Sequence, residues 1–434
     1  MTRLPFWGAL LVVAAGVSLS AQMRTDFLGV TPVPPTSNAL FDDRVVQEIR
    51  LSVNTANWQT LKDRYLEDTY YPADLKWREM TVRNVGIRSR GTGSRSGTKP
   101  GLKVDFSQYI KGQTFVGLKS VILRNNTQDP SNLHERVSLL LFRRMGLPAS
   151  REAHARLYVN DEYAGLYTVV EPVDKIFLSR VYGDNGGYLF EYDYPADMPA
   201  YYFEYRGSDP ALYVPLPFKP QTHEDDPHPE TIARMIRTIA EASPGTFRAA
   251  IGEYLDLPAF VRHVAVENFI ADTDGMLGDW GMNNFYMYAR GSGTPFNLIP
   301  WDKSEAYKGG VDYGIFHNIV DVPDGMRNRL MVRVLSYSDL HDLYLDSLLE
   351  CTRLSAEPAP ADNRGWLERE VRSEYLQIRE AALADPVKPY TNEQFEADIQ
   401  SLQAFARERG TVVTRAVSDA RAARLAALRA RRWR

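Results

Sequence analysis

The sequence predicts an α+β protein with a small β-rich lobe followed by a larger helical lobe. Three observations predict it. Strand-like segments crowd the first half, helical periodicity dominates the second, and a polar Asp/Asn cluster sits beside two short strands late in the chain. The chain has 434 residues, 44% of them hydrophobic, enough for a sizeable core.

The first segment is a targeting signal. Arg3 supplies positive charge, Leu4 to Val17 is almost entirely apolar, and Ser18-Leu19-Ser20-Ala21 offers small residues for cleavage before Gln22. The run is short for a bilayer core of ~30 Å. Residues 1–21 therefore read as a removable secretory signal, with no transmembrane anchor left afterwards and an exported product, periplasmic or extracellular. Residues 22–39, with Thr31-Pro32-Val33-Pro34-Pro35, read as a Pro-rich linker.

Structure is expected from about Leu40. Val45 to Leu51 reads as a strand and Asn54 to Tyr65 as a capped helix. Met80 to Arg88 alternates as a strand, Arg90 to Gly97 is a Gly/Ser turn, and Leu102 to Phe106 is the returning strand. Leu118 to Leu123 makes another. Asp129-Pro130 suits a helix start, and Leu133, Val137, Leu140 and Leu141 recur at helical spacing up to Gly146. Arg156 to Val170 reads as a hairpin turning at Asn160-Asp161, then a short helix to Arg180 and a strand at Tyr188 to Tyr192. Pro195 to Pro229 reads as an irregular insertion lying over the body. Helices are expected at 230–242, 257–270 and 343–354. The Ala/Pro run at 356–361 marks a boundary, which divides a main domain at 40–355 from a helical extension at 356–434.

Composition excludes several functions. A net charge of −4 gives no basic excess to attract nucleic acid. One cysteine, Cys351, excludes an intrachain disulfide and a Cys-rich zinc site, and reads as an interior thiol. His223 and His228 have no common metal-site spacing. The end of the chain, 415–434, carries seven Arg against one Asp and reads as a solvated helix.

The chemistry concentrates at Asp279-Trp280-Gly281-Met282-Asn283-Asn284 and Pro300-Trp301-Asp302. Transfer of a phosphoryl group from a metal nucleotide needs an Asp to orient the acceptor hydroxyl, and an Asn and a second Asp to hold metal. Asp279, Asn284 and Asp302 have that order. A polar loop whose Asp and Asn cap turns gives the same letters. The flanks add weight, because strands at 284–288 and 296–299 joined by Gly291-Ser292-Gly293 would return Asp302 to Asn284. Asp272-Thr273-Asp274 also matches the D-x-D with which some glycosyltransferases hold a metal and a sugar nucleotide.

In several of its segments the chain resembles the CotH kinase-like family. The matching residues are Arg90-Gly91-Thr92-Gly93-Ser94-Arg95, Gly117-Leu118-Lys119 to Arg124-Asn125-Asn126, Asp129-Pro130-Ser131, Tyr158 to Tyr167, Glu171-Pro172-Val173-Asp174-Lys175, Asn283-Asn284-Phe285-Tyr286 and Pro300-Trp301-Asp302. The resemblance implies a two-lobed atypical protein-kinase-like fold. It also implies a secreted enzyme that uses ATP with Mg²⁺ or Mn²⁺ to phosphorylate Ser or Thr of a protein substrate. Asp279 would be the catalytic Asp, and Asn284 and Asp302 the metal ligands. Gly91, Gly93 and Ser94 would cover phosphates. A lysine must also reach them, Lys103 in preference to Lys119, and Glu135 would orient it or else stand exposed at its helix start. Glu171 would sit at the hinge with its backbone toward the adenine, or cap the following helix. In one position the chain departs: Ser304 stands where many relatives have a second acid, with Glu305 one residue on. A non-catalytic binding module on the same scaffold is the alternative.

Overall fold

The computed structural model describes residues 36–193, 199–291, 294–320, 322 and 327–432. The expected signal segment and most of the linker lie outside the described residues, as do two residues of the Gly291–Gly293 turn. A helical turn, α1 (Ser37–Leu40), precedes β1 (Gln47–Val53) and α2 (Thr55–Asp63), whose start is capped by Asn54. β2 (Tyr71–Trp77), β3 (Met80–Ser89), β4 (Leu102–Asp105), β5 (Ser120–Arg124), β6 (Glu152–Val159) and β7 (Glu162–Val170) complete a closed barrel in the order β1-β2-β3-β4-β5-β7-β6. Parallel pairing of β1 with β6, Ile49 opposite Leu157, closes it and removes its free edges. β2 is the strand the sequence reading missed. Pro72 and Asp74 disguise it, yet Ala73, Leu75 and Trp77 alternate into the core. The β6–β7 hairpin turns through Asn160 and Asp161, both at positive φ as a tight hairpin requires.

Helix α3 (His134–Arg144) starts later than Asp129-Pro130 suggested. Asp129 still serves its start from the preceding turn. Its Oδ2 accepts from the His134 amide at 2.7 Å and its Oδ1 from Ser131 Oγ at 2.6 Å. α4 (Lys175–Tyr182), capped by Asp174, leads to a four-stranded sheet ordered β11-β10-β8-β9. Its strands are β8 (Tyr188–Tyr192), β9 (Phe218–Pro220), β10 (Phe285–Ala289) and β11 (Asn297–Pro300). The described part of the expected insertion does not lie over the body. Tyr201, Tyr202, Phe203 and Tyr213 are buried in the main core.

The rest is helical: α5 (Pro229–Glu241), α6 (Phe247–Gly252), α7 (Leu257–Phe269), α8 (Arg329–Val334), α9 (Ser338–Ser355), α10 (Trp366–Leu383) and α11 (Asn392–Arg432). The chain is thus mixed α+β, β-rich first and helical later. Cys351 is buried on α9. Among the described residues no helix is long and apolar enough to cross a membrane.

The expected division at 355/356 does not divide the packing. Val371, Ile378, Phe395, Phe405 and Val413 share one core with α3 and α7. Arg409 of α11 is fully buried and donates to the carbonyls of Asn268, Phe269, Val311 and Tyr313, which closes the C-terminus of α7. Lys99, also buried, donates to Asp385 Oδ2 at 2.7 Å and to the Leu166 carbonyl at 2.9 Å. This pair ties the segment after α10 to the barrel. Removing one partner of a buried pair leaves an uncompensated charge. Lys99→Met is expected to destabilise by ~3–5 kcal/mol, read from the urea midpoint. A midpoint equal to wild type would show that the pair does not hold the two parts together.

Candidate functional site

A cleft of about 670 Å³ opens between the barrel and the second sheet. Gly91, Gly93, Ser94, Lys103 and Ile122 line it from the barrel, and Asp274, Asn284, Trp301, Asp302 and Ser304 from the other side. Hairpin register explains the second set. Phe285 pairs with Pro300, and the Trp301 amide donates to the Asn284 carbonyl at 3.0 Å, so residues 284 and 302 come to one end. Both take left-handed backbone, φ 59° and 46°. Asn and Asp tolerate that region better than most residues, at a cost of ~1–3 kcal/mol.

The structure adds an acid that the expected trio lacked. Asn284 Nδ2 donates to Asp274 Oδ2 at 2.8 Å and to its carbonyl at 3.0 Å, and Asn283 Nδ2 reaches both Asp274 oxygens at 3.2 Å. Burial pushes the Asp274 carboxyl up to about 7, and the neighbouring Asp272 and Asp302 push it the same way. From the sequence Asp274 reads as part of a D-x-D or as the entry to the polar loop that carries Asp279.

Asp279 stands outside this cluster. Its Oδ1 lies 2.5 Å from His317 Nε2 and accepts from Asn318 Nδ2 at 3.1 Å. Its side chain is 39% exposed and it does not line the cleft, whereas the adjoining Trp280 (84% exposed) and Gly281 do. Asp279 is therefore a rim residue, oriented by two side chains that the sequence reading did not pick out.

Asp302 is held on both oxygens. Oδ2 accepts from Arg124 Nη1 at 2.6 Å and Oδ1 from Ser304 Oγ at 3.0 Å. Burial alone would raise its pKa, but Arg124 and Arg90 outweigh that and keep it below the usual carboxylate range. Glu305 does not replace the missing acid at position 304, since its carboxylate pairs with Lys308 at 2.7 Å.

Two expected nucleotide residues have other side-chain partners. Glu135 does not orient Lys103; its partner is Arg124, whose Nη2 donates to Oε1 at 2.8 Å. Lys103 stays on β4, opposite Arg88 and Ile122, and lines the cleft. Glu171 is not a cleft residue. Its buried carboxylate is enclosed by Arg151 and Arg180, and the next three residues, Pro172 to Asp174, line the cleft instead.

The Gly-rich turn is anchored rather than loose. Gly91 has φ 122°, open to glycine. Arg95 Nε donates to its carbonyl at 2.6 Å and Arg95 Nη2 to Asp68 at 2.5 Å, while Asn125 Nδ2 holds the Ser94 carbonyl at 2.8 Å. His223 and His228 both pack on Tyr188.

A mixed α+β chain with a Gly-rich turn facing an Asp/Asn/Asp cluster across a cleft is the class of protein defined here. The family model described as "CotH kinase protein" matches residues 87–413, and the chain belongs to that family. It is similar to the inner spore coat protein H of Bacillus subtilis (strain 168), 25% identical over 353 residues, which cover 80% of this chain and 91% of that protein.

His134 couples the cleft to α11. Its Nδ1 lies 3.1 Å from the Ser304 carbonyl and its Nε2 3.3 Å from Asp398 Oδ2. Burial would lower its pKa, but Asp129, Asp398 and that carbonyl outweigh it and hold the imidazolium up to about 9. The folded value exceeds the unfolded one of ~6.5. Its stabilisation is therefore complete below about pH 6.5 and lost as pH rises through about 9. Between pH 6 and 9.5, wild type should lose on the order of 3 kcal/mol of unfolding free energy that His134→Gln does not lose. Equal pH slopes for the two proteins would refute the linkage.

Proposed function

We propose that this protein is an exported atypical protein kinase that transfers the γ-phosphoryl group of ATP to Ser or Thr hydroxyls of a protein. The observation that carries the reading is the meeting of Asp274, Asn284 and Asp302 beneath a Gly-rich turn. Family membership supports it, and a barrel facing a second, sheet-floored part of the chain across a cleft suits a two-lobed kinase-like arrangement. Export rests on the apolar run at residues 4–17.

The donor set suits a hard divalent cation: carboxylates plus an amide oxygen. Asn284 commits its nitrogen to Asp274, which leaves its oxygen for Mg²⁺ or Mn²⁺ beside Asp302. Held by Asn284 and Asp302, such an ion would supply positive charge against the phosphoryl oxygens. Gly91, Gly93 and Ser94 present backbone to the phosphates, and Lys103, Arg88 and Arg90 add positive charge to the same wall. In this reading Asp279, held by His317 and Asn318, would accept the hydroxyl proton of the acceptor. Asp274, raised toward neutrality, limits negative charge at the cluster until a cation arrives.

A second reading has its own observation. Both Asp302 oxygens already have protein donors, and Ser304 supplies no extra acid. That suits a binding module that does no transfer.

Two measurements decide between them. Asp302→Ala and Asp279→Asn should each reduce transfer from γ-labelled ATP by roughly a hundredfold or more while the fold persists. Undiminished labelling by either variant would remove that residue from the mechanism. Mn-ATP at ~100 times its dissociation constant should stabilise wild type by ~2.7 kcal/mol. No thermal shift at millimolar nucleotide would favour the binding module.

A further inference from the structure

Asp302 meets a protein cation before it meets a metal. Arg124 ends β5, a strand whose other residues are buried and mostly apolar. Its Nη1 donates to Asp302 and its Nη2 to Glu135, both at hydrogen-bond distance (2.6 and 2.8 Å). The guanidinium also rests 5.2 Å from the centre of the Trp301 ring. It is nearly buried, with its side chain 8% exposed, and Glu135 shares that burial at 6%. Arg124 does not line the cleft; it stands behind Asp302, which does.

We infer that Arg124 is a built-in counter-cation that competes with a divalent metal for Asp302, so that metal and nucleotide load this site cooperatively. This deepens the kinase reading and rests on it. A divalent ion shared by Asn284 and Asp302 lies next to the guanidinium, and like charges in a poorly hydrated site repel strongly. Ser304 adds a hydroxyl and no charge to offset that repulsion. A nucleoside triphosphate brings several negative charges into the same cleft and does offset it. Metal alone therefore binds weakly, and nucleotide raises its affinity. By linkage, metal raises nucleotide affinity by the same factor. Glu135 makes the exchange feasible. When Asp302 turns to the metal, Arg124 keeps its hydrogen bond to Glu135, with Glu152 also acting on it, and is not left without a partner.

The test is Mn²⁺ titration of the full chain by electron paramagnetic resonance, with and without the non-hydrolysable β,γ-imido analogue of ATP. Wild type is compared with the double variant Arg124→Met/Glu135→Gln, which removes the buried pair and frees Asp302 from its protein cation. Wild type should bind Mn²⁺ at least about tenfold tighter when the analogue is present. The double variant should bind Mn²⁺ alone at least about tenfold tighter than wild type does, and lose most of the nucleotide effect. If the double variant fails to fold, Arg124→Gln replaces it. With a neutral hydrogen-bond donor in place of the cation, it too should bind Mn²⁺ alone more tightly than wild type. Folded variants that bind Mn²⁺ alone no tighter than wild type, while wild type still binds Mn²⁺ with nucleotide, overturn the inference and leave the kinase reading intact. Failure of wild type and variants alike to bind Mn²⁺ in the presence of nucleotide overturns both.

Discussion

The ammonium of Lys303 is the fixed point on which the cleft floor depends. It is fully buried and donates to Glu267 Oε1 at 2.6 Å and to Asp272 Oδ2 at 2.8 Å. Burial would discharge it, but the two carboxylates outweigh that and hold it charged. Each acid then positions backbone. Glu267 Oε2 accepts from the Met276 amide and Asp272 Oδ1 from the Asp274 amide. One residue beside Asp302 thus sets the path of the loop that carries Asp274. A triad of this kind adds little net stability over an apolar equivalent, but breaking it is costly. Its value here is geometric, since it fixes acids from three chain segments in one place.

That geometry explains what was legible in the sequence. Asn284 and Asp302 could be paired from two short strands and a turn, because hairpin register is local. The choice between Asp274 and Asp279 could not be made that way. The loop from 272 to 283 is shaped by Glu267, Lys303 and close packing at Gly275, where a Cβ would lie 2.6 Å from Asp272 Oδ2. Those contacts are long-range and leave no periodic trace. Arg124 did leave one: a charge ending the apolar run Val121-Ile122-Leu123 needs a buried partner. Glu267 shows the same signal after Val264-Ala265-Val266 on α7. Barrel closure was not legible, because β1 and β6 pair across about a hundred residues without a connecting motif.

The helical end of the chain belongs to this architecture. Arg409 of α11 closes α7 just before the loop that bears Asp272 and Asp274, and Asp398 of the same helix pairs with His134 beside Ser304. α11 thereby supports the cleft from two sides. The composition shift at 356–361 marks no change of core, since residues on both sides of it share one cluster. The family match, which runs to residue 413, takes in both contacts.

Catalyst and binding module differ in how charge is balanced at Asp302. Within the cluster Asp302 is paired with Arg124 on one oxygen and hydrogen-bonded by Ser304 on the other, and Asp274 is raised toward its neutral form. Charge among these buried acids is thereby kept low by the protein's own groups. Left-handed backbone at Asn284 and Asp302 puts strain at two residues that meet in the cleft. Arg124 has Glu135 as a hydrogen-bond partner besides Asp302. The second carboxylate on Arg124 is best understood as one held for exchange, and it is the exchange, more than the fold, that would make this cleft an enzyme.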